Sequence, residues 1–119
     1  LFVSSHLKKK HDVLDIYYQG GYEKEFLDKC IVLNIDVKRG LNIDYFDTAS
    51  NKIRTYMIDF VIRDYLIEIK SNYYWNKNLE TNLCKKEAAE NYASEFNYKD
   101  YKVFILDQIN LEEELKKLQ

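Results

Sequence analysis

The pattern of apolar residues predicts an α/β domain, a β-sheet with helices on its faces. Three observations carry this. Apolar residues recur at steps of three and four in two separate segments, 22–33 and 82–96. Between them lie three closely spaced runs rich in Ile, Val, Tyr and Phe, and one further run of that kind follows the second segment. The order is helix, three strands, helix, strand, helix. At 119 residues, 46% of them hydrophobic, residues 1–119 fit one domain with one core and are too apolar for a disordered chain.

Residues 1–20 read as an N-terminal arm or short strand. His6-Leu-Lys-Lys-Lys-His11 is a basic run, Val13, Leu14, Ile16, Tyr17 and Tyr18 follow, and Gly20-Gly21 breaks regular structure where a helix can start. In the helix over 22–33, Phe26, Leu27, Cys30 and Ile31 make one apolar face. Residues 42–48 predict a strand, Ser50-Asn51-Lys52 a turn, and 53–62 and 65–70 two strands joined tightly at Arg63-Asp64. The polar stretch 71–81, with Tyr73, Tyr74 and Trp75 embedded, reads as a loop. The helix over 82–96 puts Ala88, Ala89, Tyr92 and Phe96 on one face, and 101–106 is the last strand. Asn110 is placed to cap a final helix through Leu118. Glu112 and Glu113 sit in its first turn and Lys116 and Lys117 in its last, as the helix dipole favours.

Composition narrows the function classes. Charged residues of both signs are mixed and the net charge is −2, so a nucleic-acid partner has to be met by a local patch. Cys30 and Cys84 offer neither zinc spacing nor a disulfide framework, and are expected as reduced thiols inside a cell. No apolar run approaches the ~20 residues that span a bilayer. The expectation is a soluble intracellular domain with no membrane partner. Because the chain opens on Leu1, it is expected to be part of a longer protein.

The hairpin carries the chemistry. With a two-residue turn at Arg63-Asp64, Ile62 pairs with Tyr65, Phe60 with Ile67 and Asp59 with Glu68. Asp59, Glu68 and Lys70 then share one face, and Ile58, Phe60, Ile62, Ile67 and Ile69 form a core surface on the other. Two like charges directly opposite repel unless a cation sits between them. Paired carboxylates suit Mg²⁺ or Mn²⁺, and a neighbouring lysine can hold a water or a phosphate oxygen. These are the parts of a phosphodiester hydrolase. The plainer alternative is a wet strand face whose scattered charges Lys70 neutralises. Glu23 lies on the inward side of its helix, with Phe26, Leu27 and Cys30, where a carboxylate needs a partner or a metal; the alternative is a first-turn acid favoured by the dipole. Lys85 sits at the centre of the face marked by Ala88, Ala89 and Tyr92, and Lys86 at its edge; each is either turned to the acidic cluster or snorkels to water.

In this order the residues resemble the PD-(D/E)XK, or restriction-endonuclease-like, nuclease superfamily. The chain is most similar to small phage and large-virus members related to very-short-patch-repair and homing-associated endonucleases. The resemblance runs from about Tyr18 to Leu106. Tyr18-Gln-Gly-Gly-Tyr-Glu23 resembles the first core helix with its acid, Tyr56-Met-Ile-Asp59-Phe the "PD" strand, and Ile67-Glu68-Ile-Lys70-Ser71 the (D/E)XK strand. Where the family name has proline, this chain has Ile58. The resemblance implies a mixed central sheet flanked by helices and a Mg²⁺- or Mn²⁺-dependent endodeoxyribonuclease. In that enzyme Glu23, Asp59, Glu68 and Lys70, with Lys85 or Lys86, serve catalysis, and Asp59, Glu68 and Ile69 hold the metal.

Binding DNA needs cations. Candidates are Lys8, Lys9, Lys10, His6 and His11, then Lys38, Arg39, Lys52, Arg54 and Lys77, with Tyr73, Tyr74 or Trp75 available to stack on bases or to cover the core. A homodimer would cut both strands and a monomer would nick. The alternatives are a non-catalytic nucleic-acid-binding or assembly module that keeps the fold, which the intact Asp59, Glu68 and Lys70 argue against, and an RNA-directed nuclease.

Overall fold

The computed structural model describes residues 8–119. In chain order the elements are β1 (Lys8–Lys10), β2 (Tyr17–Gln19), α1 (Gly20–Val32), β3 (Lys38–Arg39), β4 (Asn42–Asp47), β5 (Lys52–Met57), β6 (Phe60–Ile62), β7 (Tyr65–Lys70), α2 (Asn72–Lys77), α3 (Leu79–Glu95), β8 (Asp100–Ile105) and α4 (Leu111–Lys116). A four-stranded mixed sheet, in the order β3-β6-β7-β8, forms the centre. Its first three strands are antiparallel and β8 joins β7 in parallel, through the crossover that α2 and α3 provide. β4 and β5 make a separate hairpin, and β1 and β2 a short ribbon.

Apolar side chains are buried on both faces of the central sheet. On one face Phe60, Ile62, Ile67, Ile69 and Phe104 pack with Phe26, Leu27 and Cys30 of α1 and with Leu111 and Leu115 of α4. The Phe26 and Phe60 rings stack at 4.9 Å between centroids. On the other face Ile58, Leu66 and Tyr101 pack with Ala89 and Ala93 of α3 and Ile43 of β4. The expected α/β arrangement is therefore present, with a helical layer on each side. Among the described residues no helix is long and apolar enough to cross a membrane.

Four expectations are corrected. The single strand expected over 53–62 is two strands in different sheets, because the chain bends at Ile58-Asp59. That bend turns Ile58 to the α3 side, away from Phe60 and Ile62. The stretch 71–81 is α2 followed by the start of α3: the Ser71 hydroxyl accepts the Tyr74 N–H at 3.1 Å, and the Asn82 amide donates to the Tyr74 and Trp75 carbonyls at 3.2 and 2.9 Å. A cap at each end holds a six-residue helix that composition alone does not reveal. Phe96 is 52% exposed; α3 buries Asn82, Ala89 and Ala93 instead. The predicted Asn110 cap is present, its side chain accepting the Glu113 N–H at 3.1 Å.

Candidate functional site

The site is built where one ladder fails. The β6–β7 hairpin has the expected register, Ile62 with Tyr65 and Phe60 with Ile67, and Arg63 takes the positive φ of 51° that its tight turn needs. One step further, the Ile58 N–H, which a continued ladder would give to the Ile69 carbonyl, donates to the Leu41 carbonyl at 2.9 Å. The Asp59 carbonyl accepts the Gly40 N–H at 3.0 Å. The Asp59 carboxylate replaces the lost main-chain acceptor, its Oδ2 taking the Ile69 N–H at 2.8 Å. The N–H and C=O of a strand residue point to the same side, so the Ile69 carbonyl is also directed toward Asp59. Gly40 permits the bend, since a Cβ there would collide with the Ile58 carbonyl.

Glu68 projects to the α3 side of β7 and is only 4% exposed. Lys70 Nζ lies 3.4 Å from its Oε2. Its Oε1 is, among the described residues, the one buried side-chain N or O atom with no hydrogen-bond partner. Burial lifts the Glu68 carboxyl above the ordinary range, with Lys70, Lys85 and the Asp59 N–H pulling the other way. Asp59 keeps some solvent contact but lies deep among protein atoms. Burial raises it well above the usual value, and the charges of Glu68 and Glu23 raise it further.

Glu23, in the first turn of α1, has a side chain 14% exposed and pairs with Arg39 at 3.2 Å; its Oε1 also accepts the Gln19 N–H. Lys85 reaches in from α3, its Nζ 5.0 Å from the centre of the Tyr56 ring and 5.8 Å from that of Tyr45. Burial, then Lys70, lowers the pKa of Lys85, and Glu68 and Asp59 partly restore it. Lys86 instead pairs with Glu90 at 2.7 Å and is half-exposed. The structure thus gathers Glu23, Asp59, Glu68, Ile69, Lys70 and Lys85, and leaves Lys86 outside. Between the start of α1 and the end of β7 opens a cleft of about 350 Å³, whose lining includes Tyr22, Glu23, Ile69, Lys70, Ser71 and Tyr74.

Two residues at the site carry no role in the sequence reading. Tyr56 and Tyr101 have hydroxyls lifted in pKa by burial first, with Glu68's charge adding to both. The place of Tyr101 follows from the parallel pairing of Leu66 with Tyr101, which no local pattern carries. Arg39, counted among the DNA contacts, is occupied by Glu23 and the Tyr17 carbonyl and stands 4.9 Å over the Phe60 ring. Arg54 is held by Ser50 and Asp47, and Lys10 by Asp15. His11 is buried: Nε2 meets Asp28 at 2.7 Å, and Nδ1 accepts the Val13 and Leu14 N–H groups. The side chains of Lys9, Lys38, Lys52 and Lys77 are exposed, and His6 lies outside the described residues.

No protein-family model, curated protein or solved structure matches the chain.

The donor set can be weighed for a metal on its own chemistry. Among the described residues no three His, Cys, Asp or Glu side chains converge as a ready cage. Two carboxylates and one main-chain carbonyl are all oxygen donors. They suit a hard divalent cation that leaves its other positions to water and substrate. The orphaned Glu68 Oε1 is the atom that fits such a ligand.

Proposed function

We propose that this chain is a metal-dependent endonuclease that hydrolyses DNA phosphodiester bonds. One observation carries the reading: Glu68 is buried beside Asp59 with Lys70 3.4 Å from it, and its Oε1 has no partner among the described residues. A buried acceptor left unmade costs roughly 1–3 kcal/mol, and more when charged. A stable fold keeps such a group where a ligand completes it, and a site of oxygen donors calls for Mg²⁺ or Mn²⁺.

Asp59, Glu68 and the Ile69 carbonyl would hold the cation. Once bound, it would neutralise charge on the scissile phosphate and lower the pKa of a coordinated water. Lys70 has three donors on a flexible stem. Beside Glu68, it is placed to orient the attacking water or to bind a non-bridging phosphate oxygen. Lys85 adds a second positive charge from the α3 side, where developing negative charge on the phosphate would be stabilised. Glu23, fixed by Arg39, sets the local field and helps keep Asp59 dependent on a cation. DNA as the substrate follows from the resemblance.

Incubation with supercoiled plasmid tests the reading, in Mg²⁺, in Mn²⁺ and in EDTA, beside Lys70→Ala. Metal-dependent nicking or linearisation that the variant loses by 10²-fold or more, as about 3 kcal/mol of lost transition-state stabilisation implies, is expected. Equal cutting by both proteins would refute the site, and no cutting in any metal would refute the enzyme.

A further inference from the structure

We propose that the cleft beside Lys70 receives an unpaired base of a DNA strand, stacked on Tyr74, so that the substrate is single-stranded or locally opened at the cut. This deepens the nuclease reading, on which it rests for the position of the phosphate.

The mount of the aromatic residues is rigid. Lys70 ends β7, Ser71 caps α2, and Tyr73 and Tyr74 follow at once. Ser71 is buried, the Asn72 N–H donates to Asp107 at 2.9 Å, and Gln108 donates to the Asn72 side chain at 2.7 Å. Asn82 ties the other end of the helix to α3. The half-buried member of the trio is Trp75. Tyr73 and Tyr74 are 62% and 57% exposed. These two adjacent tyrosines, on so firmly held a helix, pack edge to face on each other at 5.0 Å and keep most of their surface in water.

Their surroundings select the ligand. Tyr74 stands in one wall of the cleft and Tyr22, 41% exposed, in the other. The lining between them includes Gly20 and Gly21, where an added Cβ would meet nothing within 4 Å. Lys70 lines the same cleft, and Lys77 Nζ stands 5.4 Å from the Tyr73 ring centre and 5.9 Å from that of Tyr74. Aromatic faces interleaved with lysines match a flexible strand that alternates bases with phosphates. A duplex keeps its base faces covered by neighbouring pairs. Only an unpaired or extruded base presents a face to Tyr74.

The test measures binding apart from cutting. Anisotropy of a fluorescein-labelled DNA oligonucleotide is read in EDTA, single-stranded and annealed to its complement, with the whole chain and with Tyr74→Ala and Tyr74→Phe. The wild-type chain is expected to prefer the single strand. Tyr74→Ala should weaken that binding about tenfold or more while duplex binding holds, and Tyr74→Phe should keep most of it. No preference for the single strand, equal loss on both forms, or an unaffected Tyr74→Ala overturns the proposal. Tyr74-dependent single-strand binding without metal-dependent nicking would sink the nuclease and keep the platform. Nicking with unaltered binding by Tyr74→Ala would do the reverse.

Discussion

Asp59 and Glu68 both have carboxyls raised by burial, and Asp59 is raised further by the charges of Glu68 and Glu23. A folded-state pKa above the unfolded one contributes stability that is fully present below the unfolded value, near pH 4, and is lost as pH rises through the raised value. The metal-free chain should therefore lose stability on account of this pair as pH rises above about 4. Asp59→Asn keeps an oxygen for the Ile69 N–H and removes the charge. In EDTA at pH 7 it should raise Tm, because it removes a carboxyl whose charge burial disfavours, while abolishing metal-dependent cutting. A lower Tm would mean that the charge stabilises the site without metal. These residues could be read from sequence because a two-residue turn fixes register over the few positions beyond it. Tyr101 could not, because its neighbour Leu66 lies across a parallel pair 35 positions back in the chain.

At the scale of elements, the bend at Ile58-Asp59 depends on a glycine far from it in sequence. Gly40→Ala places a methyl against the Ile58 carbonyl, and the backbone must give way. The expected loss is about 1–3 kcal/mol or more by thermal or urea unfolding. Gly21→Ala, at an open position in the first turn of α1, should instead be neutral or stabilise by up to about 1 kcal/mol. The same outcome for both would remove the close-approach argument. The apolar residues of 53–62 by themselves read as a single strand. What divides it is the pair of bonds to Gly40 and Leu41, and nothing between Lys52 and Ile62 encodes those partners. α2 is illegible for a related reason: its polar aromatic stretch has no apolar helical pattern, and what holds it is the Ser71 cap at one end and Asn82 of α3 at the other.

For the molecule as a whole, the helical layer on each face of the sheet decides how charge is tolerated. The alternation in β7 is legible, but the depth of Glu68 is not, because its face is covered by α3 and by the β4–β5 hairpin, both distant in sequence. A cation bound by the folded chain and not by the unfolded one stabilises by mass action, about 2.7 kcal/mol at a hundredfold excess over Kd. Mg²⁺ should therefore raise Tm more at pH 8 than at pH 5, where protons compete for the same carboxyls, and Glu68→Gln should lose most of the gain. A gain independent of pH and unaltered in Glu68→Gln would place the cation elsewhere.

The bond from the Ile69 N–H to Asp59 Oδ2 makes one amide proton an internal indicator. Its acceptor is an ionisable oxygen, where its neighbours in β7 have peptide carbonyls, so its ¹H–¹⁵N resonance should move as Asp59 gains or loses its proton and move again when a cation draws on the same carboxylate. In Asp59→Asn most of that movement should be lost, leaving only what the neighbouring Glu68 carboxyl contributes. One labelled sample then reads the electrical state of the site residue by residue, in the absence of any substrate.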